Sequence, residues 1–267
     1  MNRLAGFLLL STIAITGVVL VLTRPMFGIT PNPTTNDVKP DESSFAVLEL
    51  FTSEGCSSCP PADALFAEVL QQARKQNKRV YGLSFHVDYW NRLGWNDPFS
   101  NKEYTRRQRD YARAFTSRRV YTPQLVVNGT TEFVGSDRNR LSRNLAKALG
   151  LPERTQVKLE LKPAGKSKLV VLYAVTPTKN SVLNVALVER DLQSQVTTGE
   201  NAQRTLHHTN VVRAFRIIDL SLSAKGKVEL EIPQGIVRKK ASVIAYVQEK
   251  RMGAVTGASE APIPDGK

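Results

Sequence analysis

Apolar residues fill the uncharged run from Leu4 to Thr23, and after it they come in short bursts whose spacing changes along the chain. The first run follows Arg3 and approaches the roughly 20 residues needed to cross a bilayer. Residues 1–23 are therefore expected to be a signal sequence or membrane anchor. Residues 24–44 place Pro25, Pro31, Pro33 and Pro40 among Thr, Asn, Asp and Ser, the composition of a linker. Val47 to Phe51 is apolar apart from Glu49, the pattern of a buried strand, and Ala62, Leu65, Phe66, Val69, Leu70 and Ala73 then recur at helical spacing. A strand is predicted over 80–87 and a polar helix over about 100–115. A short strand follows over 121–129, ending in the Asn128-Gly129 turn, with residues 132–134 as its hairpin partner. Ser136 or Asp137 caps a last helix through Leu141, Leu145, Ala148 and Leu149, which Gly150 and Pro152 stop. The order β-α-β-α-β-β-α over residues 45–150 predicts an α/β domain in which helices cross between parallel strands and a hairpin closes the sheet.

From Thr155 the pattern becomes short and β-branched. Strands are predicted over 157–161, 169–175, 183–188, 211–220, 228–232 and 243–247, with turn signals at Pro163-Ala164-Gly165 and Lys225-Gly226. A small antiparallel β-sandwich is expected over 151–250, followed by a flexible tail over 251–267.

The chain has two cysteines, Cys56 and Cys59, between the first strand and the first helix. Cysteines three apart can share one helical turn, within reach of a disulfide. Cys56 falls just ahead of a helix, where free amides and the macrodipole favour a thiolate, so it is the expected attacking sulfur and Cys59 the resolving one. Glu54 opposes this, since an inward-turned carboxylate raises the thiol pKa. A zinc site needs a second ligand pair, which no other cysteine can supply. His86 and Asp88 end a predicted strand, where sites assemble in open α/β sheets, and form a candidate proton relay with Glu49. The same residues could equally be structural. Trp90 and Trp95 are candidates for an aromatic wall beside the dithiol, or for pins that hold a loop on the core.

The net charge is +13. Lys102, Arg106, Arg107, Arg109, Arg113, Arg118 and Arg119 crowd the second helix and its exit, either as a solvated face or for anionic lipid or an acidic partner. No nucleic-acid motif accompanies them, so none is expected as a partner. The densest polar cluster runs from Gly199 to Asn201 and from Arg204 to Arg213. A hydrogen-bond network or an interface to the dithiol domain fits it better than a metal site, because His207 and His208 would point to opposite faces of a strand.

Cys56-Ser-Ser-Cys59-Pro60 after the first strand, with Thr122-Pro123 opening the third, resembles the thioredoxin fold. The resemblance implies that Pro123 is a cis-proline and that Thr122, before it, helps hold the extended chain of a substrate. Glu49 lies seven residues before Cys56, whereas thioredoxins keep a buried acid six before the first cysteine. The motif set of residues 49–63, 86–90, 94–98, 121–124 and 127–129 further resembles an uncharacterised bacterial family of exported thioredoxin-like proteins. That family implies fold and export and says nothing of substrate.

The expected function is an exported thiol-disulfide oxidoreductase, periplasmic or in the cell envelope, either held by residues 1–23 or released. Cys56 and Cys59 would do the chemistry without a cofactor, with a disulfide-bearing protein as substrate and a second redox protein exchanging electrons. Two alternatives stand beside it: a copper-binding chaperone using Cys56, Cys59 and His86, and a non-catalytic interaction protein whose disulfide is structural.

Overall fold

A computed structural model describes residues 43–117, 119–176 and 178–265. The expected leader, and the expected linker as far as residue 42, lie outside these residues. Strand β1 (Ala46–Thr52) is buried along its whole length. Helix α1 (Pro60–Lys75) starts on Pro60 and Pro61, where a missing N–H leaves nothing unsatisfied. After β2 (Val80–His86) comes α2 (Lys102–Ala114), capped by Asn101, whose side chain accepts from the Glu103 amide. The hairpin of β3 (Gln124–Val127) and β4 (Thr131–Val134) turns on Asn128 and Gly129, both at positive φ. Helix α3 (Arg138–Leu149) follows, with the Asp137 side chain as its cap.

Apart from a short 3-10 turn at Arg238–Lys240, the elements after α3 are strands: β5 (Val157–Pro163), β6 (Lys168–Val175), β7 (Ser181–Glu189), β8 (Leu192–Gln195), β9 (Thr205–His208), β10 (Val211–Asp219), β11 (Lys225–Glu231), β12 (Ala241–Glu249) and β13 (Val255–Pro262). Eight strands form one sheet in the order β13-β12-β7-β10-β2-β1-β3-β4. Within it β1 and β2 are parallel and β3 runs antiparallel to β1. The side chains of β1 alternate between the faces. Leu48 and Leu50 pack with Phe66, Leu70 and Leu141 of α1 and α3, while Val47 and Phe51 pack with Tyr104 and Tyr111 of α2.

The boundary expected at residue 150 does not interrupt the sheet. Strand β10 joins β2 in parallel at Val211 and Ser84, the Ser84 amide donates to Asn210 O at 2.8 Å, and Asn210 Nδ2 donates to Gly82 O at 2.9 Å. All the described residues belong to one compact unit. The three-stranded sheet β11-β6-β5 packs over the β7 and β12 end of the large sheet, closing a core of Leu169, Val171, Leu183, Val185, Val243 and Val247. Two sheets face each other here, and the larger continues into the first half, so the second half is not a separate sandwich.

The expected flexible tail also needs correction. Residues 255–262 are β13, paired with β12 over most of its length, with Val255, Thr256 and Ala258 buried. Strand β8 was not anticipated, and β9 only through the expectation that His207 and His208 lie on a strand; the two form a separate two-stranded sheet beside α1.

Candidate functional site

Cys56 and Cys59 form a disulfide with Cα atoms 5.4 Å apart, and both residues are fully buried. Cys59 occupies the N-cap of α1, so Cys56 lies ahead of the positive end of the helix. Thr122 Oγ1 donates to Cys56 Sγ at 3.3 Å and accepts from Trp90 Nε1 at 2.8 Å. The Thr122–Pro123 peptide bond is cis. Trp90 also packs against the backbone at Gly55, where a Cβ would come within 3.1 Å of its own Cβ.

Beside the disulfide lies a buried network of ionisable groups drawn from both halves of the chain. Glu54, fully buried, accepts from Trp95 Nε1 at 2.7 Å and lies 3.1 Å from His208 Nε2. Its inward turn is therefore met by hydrogen-bond partners. The Glu54 amide donates to Asp97 Oδ2 at 2.9 Å, and the same oxygen lies 2.7 Å from His86 Nδ1. Burial opposes the Asp97 charge, but His86 and the amides of Glu54 and Phe99 outweigh it and hold the carboxyl below its ordinary range. The His86 and His208 rings meet edge to face with centroids 4.8 Å apart. Asp63 accepts from Thr52 Oγ1 at 3.1 Å and lies 4.0 Å from His208 Nδ1. Burial pushes Asp63 up to about 7, against the pull of His208 and the Thr52 hydroxyl. Asp63 and His208 also line a groove of about 420 Å³ between α1 and β9, a route by which a proton can reach solvent.

Four sequence candidates sit elsewhere or do something other than expected. Glu49 projects from the α2 face of β1 and is bound by Arg107, through Nε at 2.6 Å and Nη2 at 3.0 Å, and by the Tyr111 hydroxyl at 2.6 Å. Strand alternation puts it with Phe51 rather than with Thr52, so a proton-acceptor role is corrected to a buried ion pair. Asp88 accepts from Thr105 Oγ1 at 2.5 Å, and its amide donates back to that hydroxyl at 3.1 Å. It ties the end of β2 to α2. Trp95 lies against Glu54 rather than forming a wall at the sulfurs. His86, the third ligand of the copper alternative, engages Asp97 instead. No group of three or more His, Cys, Asp or Glu suited to a metal occurs among the described residues.

Asp63 and Asp97 were not singled out from the sequence, and Glu200 and Asn201 only as members of the polar cluster from Gly199. Asn201 is fully buried and its Nδ2 donates to Glu54 O at 2.8 Å and Cys56 O at 3.0 Å, while Glu200 Oε2 accepts from the Ser57 amide at 3.0 Å. The signal for these was the polar cluster of residues 199–213, which supplies both a network and an interface to the dithiol segment. Asp63 had its own signal: an acid in the first turn of α1 amid apolar neighbours.

No functionally curated protein matches this chain. A crystal structure of protein AGR_C_4864 from Agrobacterium tumefaciens is similar, with a TM-score of 0.60 and 29% sequence identity over 85% of this chain and 98% of that one. Residues 47–248 match the family described as "Protein of unknown function (DUF1223)", and the chain belongs to that family.

Proposed function

We propose that this protein is an exported thiol-disulfide oxidoreductase built on a thioredoxin-like arrangement. The observation that carries the reading is the Cys56–Cys59 disulfide at the head of α1 with the Thr122 hydroxyl 3.3 Å from Cys56 Sγ. The parallel β1-α1-β2 unit, the antiparallel β3 opened by Thr122-Pro123, the β3–β4 hairpin and α3 support the fold assignment. Export is supported by the leader pattern and by the disulfide, which persists in oxidising compartments.

In the reduced protein the Cys56 thiolate, stabilised by the helix end and the Thr122 hydroxyl, attacks a substrate disulfide and releases one substrate thiolate. Cys59 then loses its proton and attacks Cys56 Sγ. The substrate leaves with two thiols, and the two electrons it gained are those that Cys56 and Cys59 gave up as their disulfide formed. Asp63, four residues after Cys59 and so on the same helical face, is a carboxyl titrating near neutrality and can accept the Cys59 proton. The chain has no further cysteine, so a second redox protein must restore or remove the electrons.

The test is catalysis of insulin reduction by dithiothreitol. Wild type accelerates it, Cys56→Ser does not, and Cys59→Ser accumulates a mixed disulfide; no acceleration by the wild type refutes the reading. A reduction potential near about −270 mV then assigns a reductant and one near about −120 mV an oxidant. Complete burial of the disulfide favours a second reading, a structural crosslink in an interaction protein. In that case the bond resists reduction until the protein unfolds.

A further inference from the structure

We propose that residues 196–204, the loop between β8 and β9, are a lid over the Cys56–Cys59 disulfide that must swing away before a thiol can reach either sulfur. The inference rests on the oxidoreductase reading. Disulfide exchange needs a thiolate in contact with a sulfur, yet both cysteines have no exposed surface. The β1 and α1 residues on either side of the pair are held in the core of the large sheet, and the Thr122 and Ser58 hydroxyls meet Cys56 Sγ at 3.3 and 3.4 Å.

The loop is attached differently. Three of its side chains hold it on the dithiol side. Thr198 Oγ1 donates to Gly94 O at 2.6 Å, Glu200 accepts from the Ser57 amide at 3.0 Å, and Asn201 donates to Glu54 O and Cys56 O at 2.8 and 3.0 Å. The strands that carry it belong to neither large sheet. Inside, the loop is braced by its own bonds, from the Gln203 amide to Val196 O at 2.8 Å, from the Ala202 amide to Gly199 O at 3.2 Å and from Arg204 Nη1 to Asn201 Oδ1 at 2.6 Å. A segment stiff within itself and pinned at its rim by a few polar contacts moves as a body. Opening breaks those contacts and leaves the β8–β9 ladder and the His208 contact with Glu54 in place.

The experiment follows reduction of the folded, full-length protein by dithiothreitol. One reagent thiolate attacks a cysteine sulfur and breaks the Cys56–Cys59 bond. The second reagent thiol displaces the resulting mixed disulfide, leaving two protein thiols and the cyclic disulfide of the reagent. Asn201→Ala and Thr198→Ala each loosen the attachment of the loop and leave the Glu200 charge at the Ser57 amide unchanged. Each is expected to speed reduction about tenfold, the worth of about one net hydrogen bond, and to speed hydrogen exchange of the Ser57 amide by the same factor while the protein stays folded, its urea midpoint falling by no more than the matching free energy. Thr198 is exposed, so its variant keeps the test valid if Asn201→Ala fails to fold. Reduction at the wild-type rate in the folded variants overturns the lid. Resistance of all forms until they unfold overturns the oxidoreductase reading itself.

Discussion

Asp63 Oδ2 lies 4.0 Å from Nδ1 of His208, a residue of β9 far along the chain, and both side chains are buried beside the disulfide. Asp63 carries a proton to unusually high pH, its pKa being raised by burial from 3.8 to about 7, although His208 and the Thr52 hydroxyl pull it down and Asp97 and Glu54 push it up.

The folded value of Asp63 exceeds the unfolded one, so the native state binds the extra proton. The stability this contributes is full below about pH 4 and is lost as pH rises to about 7. At about 1.4 kcal/mol per pKa unit, Asp63→Asn is expected to be about 2 to 4 kcal/mol less sensitive than wild type to a change from pH 4 to pH 8. Urea unfolding of both proteins across that range measures the difference, and parallel pH profiles would contradict it. In turnover, Asp63→Asn should prolong the mixed disulfide, because Cys59 loses its proton acceptor.

Thr122→Val removes the hydroxyl that donates to Cys56 Sγ and accepts from Trp90 Nε1. A hydrogen bond to a charged group is worth about 1.5 to 3 kcal/mol. The Cys56 thiol in the reduced protein should therefore titrate about one to two units higher. The pH dependence of iodoacetamide alkylation reads this directly.

Glu49→Gln leaves Arg107 buried without its carboxylate partner, though Tyr246 and Gln248 still accept from it. A loss of about 3 to 5 kcal/mol in stability is expected, the usual consequence of breaking a buried pair. The reduction potential should stay within about 10 mV of wild type, because Glu49 faces α2 and not the sulfurs; that margin corresponds to about 0.5 kcal/mol. A larger shift would return Glu49 to the redox site.

Gly257 of β13 passes so close to the neighbouring chain that a Cβ would lie 1.6 Å from Thr155 O. Gly257→Ala must displace backbone, at a cost of about 2 to 3 kcal/mol. Thermal melting should show a clear drop, whereas a frayed tail would tolerate the change.

What could be read in the sequence was what neighbouring residues settle among themselves. The apolar run of β1, the spacing of Ala62, Leu65, Phe66 and Leu70 in α1, the Asp137 cap and the Asn128-Gly129 turn depend on contacts within a few residues, so their types and approximate bounds followed from pattern. The short bridge of Cys56 to Cys59 is of the same kind.

Tertiary structure decided the rest. Whether Glu49 serves the sulfurs or Arg107 depends on which face of β1 meets α2, and only the packed sheet determines that. The four-residue strands β8 and β9 have too few positions to show a period, and β13 looks like a tail until it pairs with β12. His208 reaches Glu54 across 154 residues of chain, and Asn201 reaches Cys56 across 145. The polar cluster of residues 199–213 marked these residues, but which partner each would meet left no mark in local spacing. They meet because Asn210 and Val211 carry β10 alongside β2, which brings the β9 strand that precedes them against α1.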